Sequence, residues 1–180
     1  METGYDILFF WVARMVMDGL EFTGKVPFDT VYLHGMIRDD KGQKMSKTKN
    51  NVIDPLVVMD EYGTDALRLT LLVGSTPGND MNISVKKVEG NRNFANKVWN
   101  IGRFVISAVD RIEGKPQFSP VWTLADSWVW ARMKETVNSV NSLFENHQYG
   151  EAGRQIYEFF WNDFADWYLE ASKRQLGKGG

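Results

Sequence analysis

The sequence predicts an α/β unit followed by an all-α one, and three patterns carry that reading. A short β-rich run, Thr30-Val31-Tyr32-Leu33-His34, follows a nearly unbroken apolar segment at 6–18. A polar, lysine-rich stretch with almost no apolar residues fills 38–51 and reads as a loop. From Ser84 onward, apolar residues recur at threes and fours, the helical spacing. A chain of 180 residues with 43% hydrophobic content can bury a core and form one or two domains.

The elements follow in order. The segment 6–18 reads as a helix, with Gly19 placed to stop it. Being apolar on nearly every side, it is expected to lie buried beneath a sheet. Arg14 interrupts it and it is too short to span a bilayer, so no membrane insertion is expected. No basic region precedes it, which argues against a signal peptide. Pro27 breaks the chain, and 30–34 reads as a buried parallel strand. Asp54-Pro55 opens a helix to about Tyr62, with proline in the first turn. Gly63 ends that helix, and Thr64 is expected to cap the next, from Asp65 to about Val73. Ser75-Thr76-Pro77-Gly78-Asn79-Asp80 is turn chemistry.

Ser84 can cap a helix through Arg111, with an apolar line of Val88, Ala95, Val98, Gly102, Val105 and Val109. Gly114 to Pro120 reads as a linker. Leu124, Trp128, Ala131, Val137, Val140 and Phe144 mark a second helix. Ile156, Phe159, Phe160, Phe164, Trp167, Tyr168 and Ala171 mark a third. The closing Gly177 to Gly180 reads as a frayed end.

Net charge is -2 and the pI about 5.7, so no global field recruits nucleic acid, and any RNA contact must come from local Lys and Arg clusters. The absence of cysteine removes disulfides, thiolate nucleophiles and Cys-based zinc sites, and fits a reducing cytosol. No metal site is predicted.

The chemistry concentrates in Lys44-Met45-Ser46-Lys47-Thr48-Lys49-Asn50-Asn51, three ammonium groups in eight residues without a carboxylate, close to Gly42. Such cations beside a strand end suit polyphosphate, because charge-assisted contacts are strongest where anionic charge is concentrated. On composition alone an ordinary solvated lysine loop competes with this. A P-loop is excluded: Ser46 stands where a glycine should precede the lysine, and Lys41 where the first glycine should be.

Lys44-Met45-Ser46-Lys47-Thr48 resembles the Lys-Met-Ser-Lys-Ser signature of class I aminoacyl-tRNA synthetases, with Thr48 keeping the last hydroxyl. The segments 2–15, 31–35, 51–55, 62–68, 92–100 and 160–170 are similar to the valyl branch of that family, so the resemblance runs to about Lys173. It implies that 1–40 is the C-terminal part of a Rossmann-type catalytic domain and 41–83 the Lys-Met-Ser-Lys loop and stem-contact region. Residues 84–176 would then be an incomplete anticodon-binding-type antiparallel helical bundle.

Family enzymes make an aminoacyl-adenylate from amino acid and ATP, then pass the acyl group to the terminal ribose of tRNA. The resemblance implies ATP (with Mg2+ in the full enzyme), L-valine and tRNA(Val) as partners, no tightly bound cofactor, and a cytoplasmic location. It gives Lys44 and Lys47 the catalytic role of stabilising charge on the leaving pyrophosphate. ATP binding would involve Gly4 and Asp6 near the ribose, His34, Gly35 and Met45 around the adenine, and Ser46 with Lys47 in the loop. Ile7 and Trp11 match the valine pocket, and Arg92, Lys97, Arg103 and Trp161 are the candidate tRNA contacts. Lys49 departs from the family pattern and inherits no role. Competing readings are core packing for Ile7 and Trp11, a structural histidine for His34, a helix N-cap for Asp6, and a solvated face for Arg92, Lys97 and Arg103.

The family also needs a His-x-Gly-His element, and the two histidines, His34 and His147, do not fit it. The first half of the fold and any editing domain are therefore expected to be absent from these residues. Alone, they should bind ATP poorly and not catalyse, and the apolar segment at 6–17 is expected to favour self-association. A stand-alone tRNA-binding helical module and an isoleucyl- or leucyl-type ligase are the alternatives.

Overall fold

The computed structural model describes residues 1–111 and 122–178, with side chains to 175. β1 (Glu2–Gly4) lies parallel to β2 (Tyr32–His34), with Glu2 opposite Tyr32 and Gly4 opposite His34. Between them run a 3-10 turn (Tyr5–Ile7), a π-helical turn (Leu8–Val12) and α1 (Ala13–Thr23).

Three expectations for this region are corrected. The helix does not stop at Gly19. It ends at Gly24, whose φ of 69° is free of Cβ strain and whose N–H closes on the Leu20 carbonyl. Gly19 instead makes room for Pro27, whose Cδ would lie 3.0 Å from a Cβ there. The segment is also not buried: Phe9 is 75% and Met17 69% exposed, and only Val12 is enclosed. β2 is half-buried rather than buried, because a two-stranded sheet leaves a face uncovered.

A second parallel pair, β3 (Ile37–Arg38) with β4 (Met81–Asn82), has no clear sequence signal at two residues each. Between them, Asp54 caps α2 (Pro55–Tyr62) by accepting from the Leu56 N–H at 2.8 Å, with Pro55 in the first turn as expected. Gly63, at φ 90°, separates α2 from α3 (Thr64–Val73). Thr64 is the first residue of α3 rather than its cap; the cap position is Gly63 and no side chain serves it. Val58, Ala66, Leu67, Ile83 and Val88 form the core here, with Met45 and Ile53 packed on it. Burying each larger aliphatic contributes about 1.5–3 kcal/mol.

Ser84 caps α4 (Val85–Val109) by accepting from the Lys87 N–H, as expected, and the helix ends at Val109, two residues before Arg111. Its expected apolar line is misphased. The buried residues are Val88, Phe94 and Ile101, while Val98, Val105 and Val109 are exposed. Phe94 and Ile101 each precede Ala95 and Gly102 by one residue, about 100° round the helix. The larger side chains at 94 and 101 hold the true contact stripe.

α5 (Leu124–Glu145) starts with a reciprocal cap: Thr123 accepts from the Asp126 N–H, and Asp126 accepts from the Thr123 N–H at 2.8 Å. Leu124 does not join the apolar line and is 88% exposed. α6 (Tyr149–Glu158) continues through a π-helical stretch (Phe159–Tyr168) into α7 (Leu169–Lys178). Ala165 and Leu169 pack with Ile101, Phe104, Phe160 and Phe164, but Trp167 is 72% exposed. The linker expected at 114–120 lies outside the described residues. Gly150 brings α6 against the end of α3, since a Cβ there would meet the Ser75 carbonyl oxygen at 1.8 Å. No helix among the described residues is long and apolar enough to cross a membrane.

Candidate nucleotide site and lysine loop

A cleft of about 1040 Å³ opens along β1 and β2. Gly4, Asp6, His34 and Gly35, all at the carboxyl ends of the two strands, line it together. Parallel pairing puts Gly4 beside His34, and the chain turns at once to bring Asp6 back: a Cβ on Gly4 would meet Asp6 Oδ1 at 2.8 Å and His34 Cε1 at 3.6 Å. The His34 ring is oriented by Nδ1, 2.9 Å from the Gly35 carbonyl oxygen, and its Nε2 lies 3.5 Å from Glu2. Gly35 has a packing reason to be glycine, because a Cβ would sit 1.6 Å from the Asn79 carbonyl oxygen.

Asp80 ties this region together. It accepts from the Met36 N–H at 2.7 Å, from Arg38 Nε at 2.5 Å and from the Tyr5 hydroxyl at 3.3 Å. The Met36 N–H first, and the Arg38 guanidinium second, hold its carboxyl below the usual range. Arg38 reaches on to the Gly42 carbonyl at 3.3 Å, at the start of the lysine loop.

The loop is built around Asp39, which is buried. Its Oδ1 accepts from the N–H groups of Lys41 and Gln43, and its Oδ2 accepts from Asn51 Nδ2 at 2.8 Å. The Asn51 amide first, then the Gln43 N–H, hold the Asp39 carboxyl below its ordinary value. Asn51 Oδ1 accepts from the Ser46 N–H at 2.9 Å, and the Ser46 hydroxyl caps the 3-10 turn Lys47–Lys49. Met45 packs onto the core, while Lys44 and Lys47 are exposed and have no ion-pair partner among the described residues.

The remaining candidates fall elsewhere. Ile7 and Trp11 are 42% and 47% exposed and do not line the cleft; neither do Met45, Ser46, Lys44 or Lys47. Lys97 Nζ lies 2.7 Å from Asp166 and 3.6 Å from the centre of the Trp161 ring, which stacks on Tyr157. Arg92 pairs with Glu89 at 3.4 Å and covers the Tyr62 ring. Arg103 is exposed, with no ion-pair partner among the described residues. Sequence reasoning missed Asp39, Asn51, Arg38 and Asp80. For Arg38, Asp39 and Asn51 the available signal was their place in the polar stretch that holds the lysines; Asp80 read only as part of a turn.

Residues 1–84 match the family model described as tRNA synthetases class I (I, L, M and V), and residues 126–180 match that of the anticodon-binding domain of tRNA ligase. The chain is similar to the class I aminoacyl-tRNA synthetases. It is 53% identical over 179 residues to a valine–tRNA ligase of Lactobacillus johnsonii, covering 98% of this chain and 20% of that relative. The valine–tRNA ligase of Symbiobacterium thermophilum is 51% identical over 177 residues, again 98% of this chain, and 19% of that relative. The chain thus spans about one fifth of the length of the curated relatives it matches.

Two solved structures share the synthetase fold. The Agrobacterium radiobacter K84 LeuRS in its ternary complex with tRNA and LeuAMS has a TM-score of 0.70 at 21% identity, covering 97% of this chain and 24% of that one. The Mycobacterium tuberculosis methionyl-tRNA synthetase in complex with methionyl-adenylate has a TM-score of 0.70 at 24% identity, covering 88% and 31%. At these identities the likeness speaks to the fold alone.

Proposed function

We propose that these residues serve a valine–tRNA ligase, contributing one wall of its ATP and valine sites and the beginning of its tRNA-binding helices. Residues 1–40 would close a Rossmann-type catalytic domain, 41–83 form the lysine loop and stem-contact region, and 84–176 an antiparallel anticodon-binding bundle. In the reaction the valine carboxylate attacks the α-phosphorus of ATP, the bond to the β-phosphate breaks, and pyrophosphate leaves. The acyl group then passes to the terminal ribose of tRNA(Val).

The observation that supports this reading is the state of the lysines. Lys44 and Lys47 stand exposed and unpaired among the described residues, on a loop whose backbone is fixed by Asp39 and Asn51. Positioned cations act most strongly on charge that develops in the transition state, here on the departing pyrophosphate. On this reading Asp6 would accept from ribose hydroxyls, His34 and Gly35 would border the base, and Ile7 with Trp11, which lie outside the cleft, would meet the valine side chain. Mg2+ would arrive with ATP as part of the substrate. Arg103 is the tRNA candidate with no partner among the described residues, whereas Lys97 and Trp161 already hold each other.

The 180 residues contain no His-x-Gly-His element, so on this reading they need that half for catalysis. Joining the two halves should give ATP–pyrophosphate exchange that depends on valine. Exchange stimulated only by isoleucine or leucine overturns the specificity, and tRNA binding with no exchange favours a non-catalytic tRNA-binding module.

A further inference from the structure

We propose that Asp39 and Asn51 are positioning residues for adenylate formation, clasping the two ends of the lysine loop so that Lys44 and Lys47 are presented to the leaving pyrophosphate. This rests on the ligase reading above. The two side chains meet at 2.8 Å across twelve residues of sequence, so one contact closes the whole loop. Asn51 uses both ends of its amide. Its Oδ1 accepts from the Ser46 N–H at 2.9 Å, and its Nδ2 also approaches the Lys44 carbonyl at 3.3 Å. The backbone on either side of Met45 is thereby fixed from within, while the Met45 side chain is held by the core. Lys44 and Lys47 flank this pinned segment.

Asp39 is 8% exposed, and its carboxylate is satisfied by two backbone N–H groups and the Asn51 amide. It makes no ion pair among the described residues. A carboxylate turned inward organises the loop without neutralising the lysines that the reaction would use. Preorganisation of this kind removes reorganisation from the chemical step, where small misplacements are costly.

The pair can be tested by exchanging its partners. Asp39→Asn alone sets two NH2 groups against each other, and Asn51→Asp alone sets two carboxylates face to face. The double variant restores one donor and one acceptor. Kinetics are read in the ligase carrying this chain, and amide hydrogen exchange at Ser46 and Lys49 is read on the same variants. Each single variant should lower kcat for valine-dependent pyrophosphate exchange by about tenfold or more and speed Ser46 amide exchange by about tenfold. The double variant should recover both to within about threefold. In a Lys47→Ala background either single variant should cost little further, a non-additivity that a merely structural contact would not produce.

Single variants with unchanged kcat, or a double variant no better than the singles, overturn the inference while leaving an active parent and the ligase reading intact. A parent without any valine-dependent exchange overturns the ligase reading and the positioning role with it.

Discussion

Arg38 Nε donates to Asp80 Oδ2 across 2.5 Å, and through this pair the cleft and the lysine loop become one unit. Asp80 also holds Met36 and Tyr5 beside the strand ends, while Arg38 also holds Gly42 at the loop. Both Asp80 and Asp39 have carboxyls held below their ordinary range by hydrogen bonds, and Asp80 additionally by Arg38. A depressed carboxyl pKa contributes stability that is present above the unfolded value, about 4, and lost as pH falls through the lower folded value. Urea unfolding followed from pH 6 to 2.5 should show stability falling below about pH 4, with a shallower fall in Asp80→Asn and Asp39→Asn. An unchanged acid slope in both variants would contradict this assignment.

Gly35 and Gly150 permit two backbone approaches that no side chain allows. A Cβ would meet the Asn79 carbonyl oxygen at 1.6 Å and the Ser75 carbonyl oxygen at 1.8 Å. Backbone cannot move aside as a side chain can, so each Gly→Ala change should destabilise by about 3 kcal/mol. Chemical denaturation of the two variants measures it, and Gly90→Ala, with nothing within 4 Å, is the control.

How far the sequence foretold this arrangement depends on the range of the interaction. Local rules placed α2 well, because Asp54, Pro55 and Gly63 act within one turn of themselves. The Ser84 cap was legible for the same reason. The phase of α4 was not, because which of Phe94 or Ala95 faces inward is decided by Tyr157 and Phe160 arriving from sixty residues later. The lysines were visible as charge, and Gly4, Asp6, His34 and Gly35 were found through resemblance and do share a cleft. Asp39 and Asn51 escaped because in a polar run nothing local distinguishes a buried carboxylate from a solvated one.

Asn50 holds φ 51° at the end of the 3-10 turn Lys47–Lys49. Asn tolerates the left-handed region better than most residues, and glycine enters it without strain. Asn50→Ala should therefore cost about 1 kcal/mol in thermal unfolding, and Asn50→Gly less than about 0.5 kcal/mol. Equal effects from the two would argue against a strained backbone there.

Lys97 joins α4 to the π-helical stretch through Asp166 and the Trp161 ring. Its first role is therefore packing, and Lys97→Met should destabilise by about 0.5–1 kcal/mol. The salt dependence of tRNA binding should change little in that variant. Arg103→Ala should instead weaken binding and lower the salt slope by about one ion. A slope reduced by Lys97→Met and not by Arg103→Ala would reverse the two assignments.

On the proposed function, the ammonium group of Lys47 stabilises departing pyrophosphate. Valine-dependent ATP–pyrophosphate exchange, measured for Lys47→Ala in the ligase carrying this chain, tests it most directly. Lys47→Ala should lose about a hundredfold or more in kcat with unfolding behaviour unchanged, and Lys49→Ala about threefold or less. A Lys47→Ala enzyme that exchanges at the parent rate would contradict it.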